Sequence, residues 1–246
     1  MIKRIAATLV IDSNYVVNAY GFKIHLPVGR LKYSLIRLQE LGIDEINILN
    51  TTHSDSPSND IKRLLDGFDD LHISTPLAYG GGISNLNDAT QVIKNGVERV
   101  IISPKIFFNQ EVFGSLCHNL GDQAIVLHLP IKNTENGLII NGYTAEKLSD
   151  LIRYIPKNWG GEILITFVNN DGKFKPDWEN INNALRFFNG NSNLILSGGF
   201  ACYSDIALGL NLRQVSSISV GNYLHRIENS VDKIKNKLNT AIEIRM

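Results

Sequence analysis

Little in this sequence offers a metal, a membrane or a polyanion anything to bind. It holds two cysteines, Cys117 and Cys202, with neither metal-site nor redox spacing. That points to a reducing compartment, the cytoplasm, rather than to a disulfide scaffold. Its histidines show no ligand spacing, so neither a metal nor another cofactor is expected. Neither sign of charge is in excess: 24 basic and 24 acidic residues leave a formal net charge of zero. There is thus no electrostatic case for nucleic acid or for an anionic membrane. No apolar run approaches the roughly 18 residues of a membrane span. Lys3 and Arg4 precede a short apolar run at 5–11, but no small-residue cleavage site follows, so a strand is expected there rather than a secretion signal. No linker or low-complexity segment interrupts the 246 residues.

What is present is a repeating β–α–β pattern with glycine at its turns. The stretch 77–103 enters through Leu77-Ala78-Tyr79, meets Gly80-Gly81-Gly82, runs through a helix-length segment to Gly96 and closes on Val100-Ile101-Ile102. The pattern returns at Leu194-Ile195-Leu196-Ser197-Gly198-Gly199, with a closing run over 216–221. Gly81 and Gly198 are 117 positions apart, and so are Asp88 and Asp205. A repeat at half the chain length is the main architectural signal.

Taken in order, strands are expected at 5–11, 45–49, 73–79, 99–102, 124–129, 162–168, 193–196 and 217–220. Helices are expected at 31–41, 60–68, 86–95, 111–120, 145–154, 177–188, 204–212 and 231–242. The segments 15–22 and 133–143 read as hairpin arms. Near-continuous apolar strands alternating with amphipathic helices imply a parallel sheet covered by helices. Eight units in about 250 residues predict a closed (βα)8 TIM barrel with a half-barrel internal repeat. It would be a single domain over 1–246, with half-barrels at about 1–120 and 121–246. An open doubly wound sheet is the alternative, and the half-length repeat argues against it.

Functional groups of such barrels sit at the carboxyl ends of the strands. Both glycine clusters fall there, each before a helix, where freed backbone amides favour phosphate. Gly81, Gly82 and Ser103 would form one cradle, and Gly198, Gly199, Gly221 and Asn222 the other. The bland reading is that glycine merely relieves a tight turn. At the amino ends, Arg4, Glu45, Arg99 and Glu162 each open a strand. Four charges pointing into one mouth are costly unless paired, and two of each sign can pair. Glu45 and Glu162 again stand 117 apart.

The stretches Lys3-Arg4-Ile5, Gly42-Ile43-Asp44-Glu45-Ile46, Gly80-Gly81-Gly82-Ile83, Gly161-Glu162-Ile163-Leu164, Asn170-Asp171-Gly172 and Leu196-Ser197-Gly198-Gly199 resemble the cyclase subunit family of imidazole glycerol phosphate synthase. The resemblance covers nearly the whole chain. It implies a substrate with two phosphates at the barrel top, a glutaminase docked at the bottom, and ammonia passing between them. It also implies a carboxylate acid and base at the ends of strands one and five, where this chain has Val10 and Pro130. Neither can exchange a proton, so no useful cyclase activity is expected. Two further family carboxylates are Asn50 and Asn169 here, the family lysine is Asn18, and Asp171 is kept. Asp12 shares the strand parity of Val10 but lies further into the loop.

His128 should point inward, either as a base for another reaction or as a hydrogen-bonded core residue. With Asn50, Asn169 and Asp171 it would make a polar pocket. By the resemblance, Arg4, Glu45, Arg99 and Glu162 form an ammonia gate and Glu98 faces the glutaminase. A stabilising ring that plugs the barrel is the competing reading. Arginine at 99, where the family usually has lysine, keeps the charge but is bulkier. The resemblance is to cyclase-like proteins of surface-polysaccharide pathways, which implies a sugar amidotransferase as acceptor above the barrel. Two other readings stay open: a working lyase of histidine synthesis using substitute residues, and a module that binds phosphosugars.

Overall fold

The computed structural model describes residues 2–52, 56–64, 73–143, 148–188 and 193–225, with 234, 235, 238 and 239. In chain order the elements are β1 (Arg4–Asp12), β2 (Tyr15–Tyr20), β3 (Ile24–Arg30), α1 (Leu31–Glu40), β4 (Glu45–Asn50), α2 (Pro57–Leu64), β5 (Leu77–Gly80), α3 (Leu86–Lys94), β6 (Arg99–Ile102), α4 (Pro104–Phe108) and α5 (Gln110–Leu120). The second half continues with β7 (Ile125–Thr134), β8 (Gly137–Ile140), α6 (Leu148–Ile152), β9 (Glu162–Phe167), α7 (Trp178–Leu185), β10 (Asn193–Ser197), α8 (Tyr203–Leu210) and β11 (Val215–Val220).

Eight of these strands form one closed parallel sheet in the order β1-β4-β5-β6-β7-β9-β10-β11. Closure is by β11 on β1, with Arg4 opposite Ser217 and Ala7 opposite Val220. The fold is a (βα)8 barrel. The hairpin β2–β3 continues β1 as an antiparallel arm above the carboxyl end, and β8 does the same for β7.

Strand parity sorts the side chains into two sets. Outward residues such as Ile46, Ile48, Ile163, Ile165, Leu196 and Ile218 join the inner faces of the helices in one large core, with Leu35, Leu38, Val92, Leu116, Ile181 and Ile206. Inward residues form a separate, smaller cluster of Ala78, Ile101, Val126, Leu164 and Ile195 along the barrel axis. The helices begin where the sequence supplies caps. Asn85 accepts from the Asp88 amide, Asn109 from Val112 and Asp177 from Asn180, each satisfying an amide that the first turn leaves open.

Several boundaries differ from the sequence expectation. The third barrel strand starts at Leu77 rather than 73, because Pro76 has no amide to donate to the ladder. The Pro76 carbonyl still accepts from the Ile46 amide. Helix α2 begins at Pro57, earlier than expected, since proline suits a first helical turn; positions 65–68 of that expectation lie outside the described residues. Helix α4, with Pro104 in its first turn, was not foreseen. Positions 145–147 of the sixth expected helix, and most of the helix expected over 231–242, also lie outside the described residues. Among the described residues no helix is long and apolar enough to cross a membrane.

The glycine clusters occupy corresponding corners. Gly81 has φ +147°, and a Cβ there would lie 2.7 Å from the Asn50 carbonyl oxygen. Gly198 has φ +100°, and a Cβ there would lie 2.6 Å from the Phe167 carbonyl oxygen. Asn50 and Phe167 end β4 and β9 and are themselves 117 positions apart, so the same close approach is built twice.

One buried ion pair ties the chain's two ends together. Lys235 Nζ lies 2.6 Å from Asp44 Oδ1, both almost fully buried, and Asp44 Oδ2 accepts the Ile5 amide at 2.8 Å. Removing one partner of such a pair strands the other charge in the interior. Asp44→Ala and Lys235→Met should therefore each lower stability by about 3–5 kcal/mol in urea unfolding.

Candidate functional site

The lower mouth of the barrel is closed by a ring of charge. Arg4 Nη1 lies 3.0 Å from Glu45 Oε2, and Arg4 Nη2 contacts Glu162 Oε1. Arg99 pairs with Glu45 through Nη2 and with Glu162 through Nη1. Charges therefore alternate around a closed four-membered circuit. Its members come from β1, β4, β6 and β9, with Glu45 beside Ala6, Arg99 beside Ala78 and Glu162 beside Val126. Ser216 Oγ adds a bond to Glu162 Oε1 at 3.0 Å. Burial acts to raise the Glu162 carboxyl, but Arg4 and Arg99 outweigh it and hold the carboxyl below its ordinary range. Glu98 lies next to the ring and is exposed at its carboxyl-terminal neighbour's foot, where its carboxylate accepts the Leu77 amide at 2.7 Å. It clips the start of β5 to β6, a structural task beside any docking role.

Above the ring the lumen is unevenly lined. One side is apolar, from the inner cluster on β5, β6, β7, β9 and β10. The other, on β11, β1 and β4, carries Asn47, Ser217, Thr8 and Ser219. Thr8 and Ser219 bond at 2.6 Å. Both polar atoms of the fully buried Asn47 amide, and the Ser217 hydroxyl, have no protein partner. Leaving such groups unsatisfied costs about 1–3 kcal/mol each, so this side of the lumen suits a small hydrogen-bonding molecule. Sequence reasoning passed over these residues, although Asn47 shares the parity of Glu45 and could have been placed inward by counting.

The upper mouth opens into a cavity of about 640 Å³, lined by Val10, Asn50, Gly80–Gly82, Ser103, Lys105 and His128, with His25 at its side. That volume suits a small-molecule site. A second recess of about 40 Å³ lies on the β9–β11 side, and Val10, Phe22 and Leu49 line both. The glycine clusters are thus separated: Gly81, Gly82 and Ser103 face the large cavity, whereas Gly198, Gly199, Gly221 and Asn222 face the small one. Asn222 already spends its amide on the Ala19 carbonyl at 2.6 Å. At the start of α3, Asp88 accepts the Ser84 amide and hydroxyl, so the helix's own carboxylate takes part of the donor set a phosphate would use.

The expected polar pocket is brought together only in part. His128 faces the large cavity and bonds Thr166 Oγ1 at 3.0 Å, and burial pulls its imidazole down to about 4, so it is neutral near pH 7. Asn50 donates to the Tyr79 hydroxyl at 3.0 Å and leaves its Oδ1 without a partner at the cavity wall. Asp171 belongs to the small recess. Asn169 lies outside both, because its amide is spent on the Asn133 backbone. Pro130 lies in β7 opposite Thr166, and Val10 sits where the two cavities meet. Asn18 holds His225 Nδ1 at 2.5 Å.

This barrel, with one charged mouth and one cavity mouth, matches a known family. The family described as Histidine biosynthesis protein matches residues 16–230, and the chain belongs to it. It is 27% identical to the imidazole glycerol phosphate synthase subunit HisF of Natranaerobius thermophilus, over 99% of both chains. It is 28% identical to the HisF subunit of Dictyoglomus turgidum, over 96% of this chain and 95% of that one. For the HisF subunit of Dictyoglomus thermophilum the identity is 26%, with the same coverage.

Asp171 gives a direct test of the upper mouth. Burial pushes its carboxyl up to about 6 against the ordinary 3.8, despite backbone hydrogen bonds from Phe22 and Gly21 that act the other way. A carboxyl raised in the folded state supports folding below its unfolded value, and that support is lost as pH rises through about 6. Asp171→Asn should match the parent below about pH 4 and exceed it in stability by roughly 2–3 kcal/mol above pH 7, as read by urea unfolding across pH.

Proposed function

We propose that this chain is the barrel subunit of a glutamine amidotransferase assembly, similar in its part to the imidazole glycerol phosphate synthase subunits it resembles. A glutaminase docks on the charged lower mouth. Ammonia released there passes the ring, moves up the lumen and leaves through the upper cavity to an acceptor. The observation that carries this reading is the closed circuit of Arg4, Glu45, Arg99 and Glu162 beneath a lumen with unpartnered polar groups. A plug needs only apolar filling, which is cheaper than buried charge. A gate needs members that can exchange partners, and each charge in this circuit has two.

Ammonia enters as the neutral molecule, because an ammonium ion would meet the desolvation cost of a buried charge. Asn47 and Ser217 offer it hydrogen bonds beyond the ring, and the apolar wall opposite keeps it from being protonated by bulk water. At the top, Val10 and Pro130 stand where the relatives' chemistry calls for proton-exchanging carboxylates, so the acceptor is a different reaction from ring formation. The exposed Ile24, Leu26 and Val28 on one face of β3 flank the upper mouth and support an acceptor enzyme docking there, a sugar amidotransferase by the resemblance.

The purified chain should form a complex with a glutaminase subunit and raise its glutamine turnover about tenfold. Failure to bind any candidate glutaminase overturns the proposal. Within that complex, Arg99→Ala should leave glutamine hydrolysis running while reducing the share of ammonia delivered at the top, measured with ¹⁵N-amide glutamine against free ammonium. Given the bis-phosphate substrate of the relatives and ammonium salt, the chain should turn over at least about 10²-fold below a working cyclase. Parity with one would favour the histidine-pathway lyase instead.

A further inference from the structure

The upper cavity carries a side-chain pair that neither the ring nor the lumen uses. His25, on β3, turns its side chain toward this cavity while the exposed apolar residues on either side of it face away. Its Nδ1 lies 2.7 Å from Asp12 Oδ2 at the end of β1. The other oxygen of Asp12 accepts from Thr52 Oγ1 at 2.5 Å and from Ser13 Oγ at 2.9 Å. The bonds from Thr52, His25 and Ser13 hold the Asp12 carboxyl down at about 2, so it is ionised throughout the neutral range.

An ionised carboxylate at Nδ1 keeps a proton on that nitrogen. Nε2 is then the nitrogen that changes state, an acceptor in the neutral ring and a donor in the cation. The same arrangement fixes the ring's orientation. Two other charged groups bear on it: Asp171, following β9, interacts with His25 electrostatically, and Lys105 of α4 lines the same cavity.

We infer that Asp12 and His25 form a proton-transfer dyad serving a small phosphorylated ligand held in the upper cavity. His25 exchanges the proton and Asp12 positions it. The inference rests on the phosphate reading of this cavity and not on the ammonia path. The cavity supplies the Lys105 cation, the Ser103 hydroxyl and the backbone of Gly81 and Gly82 for the anionic group. The Asn50 Oδ1, almost fully buried and without a partner, offers an acceptor for a hydroxyl of the ligand. His128 supplies a neutral ring at the same site. The dyad does not restore the residues missing at Val10 and Pro130. It approaches from the hairpin arm, on the side rather than along the axis, and so serves a differently placed reacting atom.

An anion bound near His25 should draw a proton onto it, and calorimetry counts that proton. Sulfate, which carries no titrating proton near neutrality, and glycerol 3-phosphate are titrated into the full chain in two buffers of different protonation heat. Both anions should bind, and sulfate binding should take up a measurable fraction of a proton. His25→Gln should keep binding within about threefold and lose the uptake, and Asp12→Asn should bind with clearly reduced uptake. Equal uptake in all three proteins overturns the dyad while leaving the phosphate site intact. Absence of binding by both anions to the parent chain overturns the phosphate reading and the inference together.

Discussion

The pairing of four charges at the lower mouth, Glu45 buried and the other three partly buried, constrains the rest of this barrel. Each of Arg4, Glu45, Arg99 and Glu162 would be prohibitively costly alone in the interior. Together they form a circuit in which every charge meets two of opposite sign. That circuit works only if β1, β4, β6 and β9 hold the register that brings these four side chains together. The ring therefore specifies strand alignment, together with the inward bonds of Thr8 to Ser219 and of His128 to Thr166. It also decides which end of the barrel can meet a charged partner.

The two mouths differ in their chemistry. The lower one retains a full set of paired ionic groups. The upper one presents Val10 and Pro130, neither of which exchanges a proton, yet it is not apolar throughout. It holds a large cavity with a lysine, a neutral histidine and an unpartnered amide oxygen, and beside it an aspartate–histidine pair. Membership of the histidine biosynthesis protein family accords with the fold. What the upper mouth acts on is a matter of this chain's own substitutions there.

Much of the fold was legible because its signals are local. Strand and helix alternate in clear period, glycines close the helices, and Arg4, Glu45, Arg99 and Glu162 each start an apolar strand. The misplaced start of β5 and the unforeseen α4 both turn on proline, whose missing amide and fixed φ act differently at strand edges and in first helical turns. Asn169 was expected in a pocket and instead clamps Asn133, because a side-chain amide at a strand end competes for neighbouring backbone groups. The split of the two glycine cradles between a large cavity and a small recess could not be read from their matching sequences. It depends on what the hairpin arms place over each.

The sequence by itself determined the barrel and its two chemically different mouths. These follow from residue type and period-two alternation, which fix what each strand can present on its inner face. Only the tertiary structure decided that the four ring charges close into one circuit, that Asn47 and Ser217 keep unpartnered groups in the lumen, and that His25 finds Asp12. Those pairings join residues from separate strands and from a folded-back arm. Their distances depend on barrel closure, register and the path of the hairpin, none of which a local pattern of residues contains.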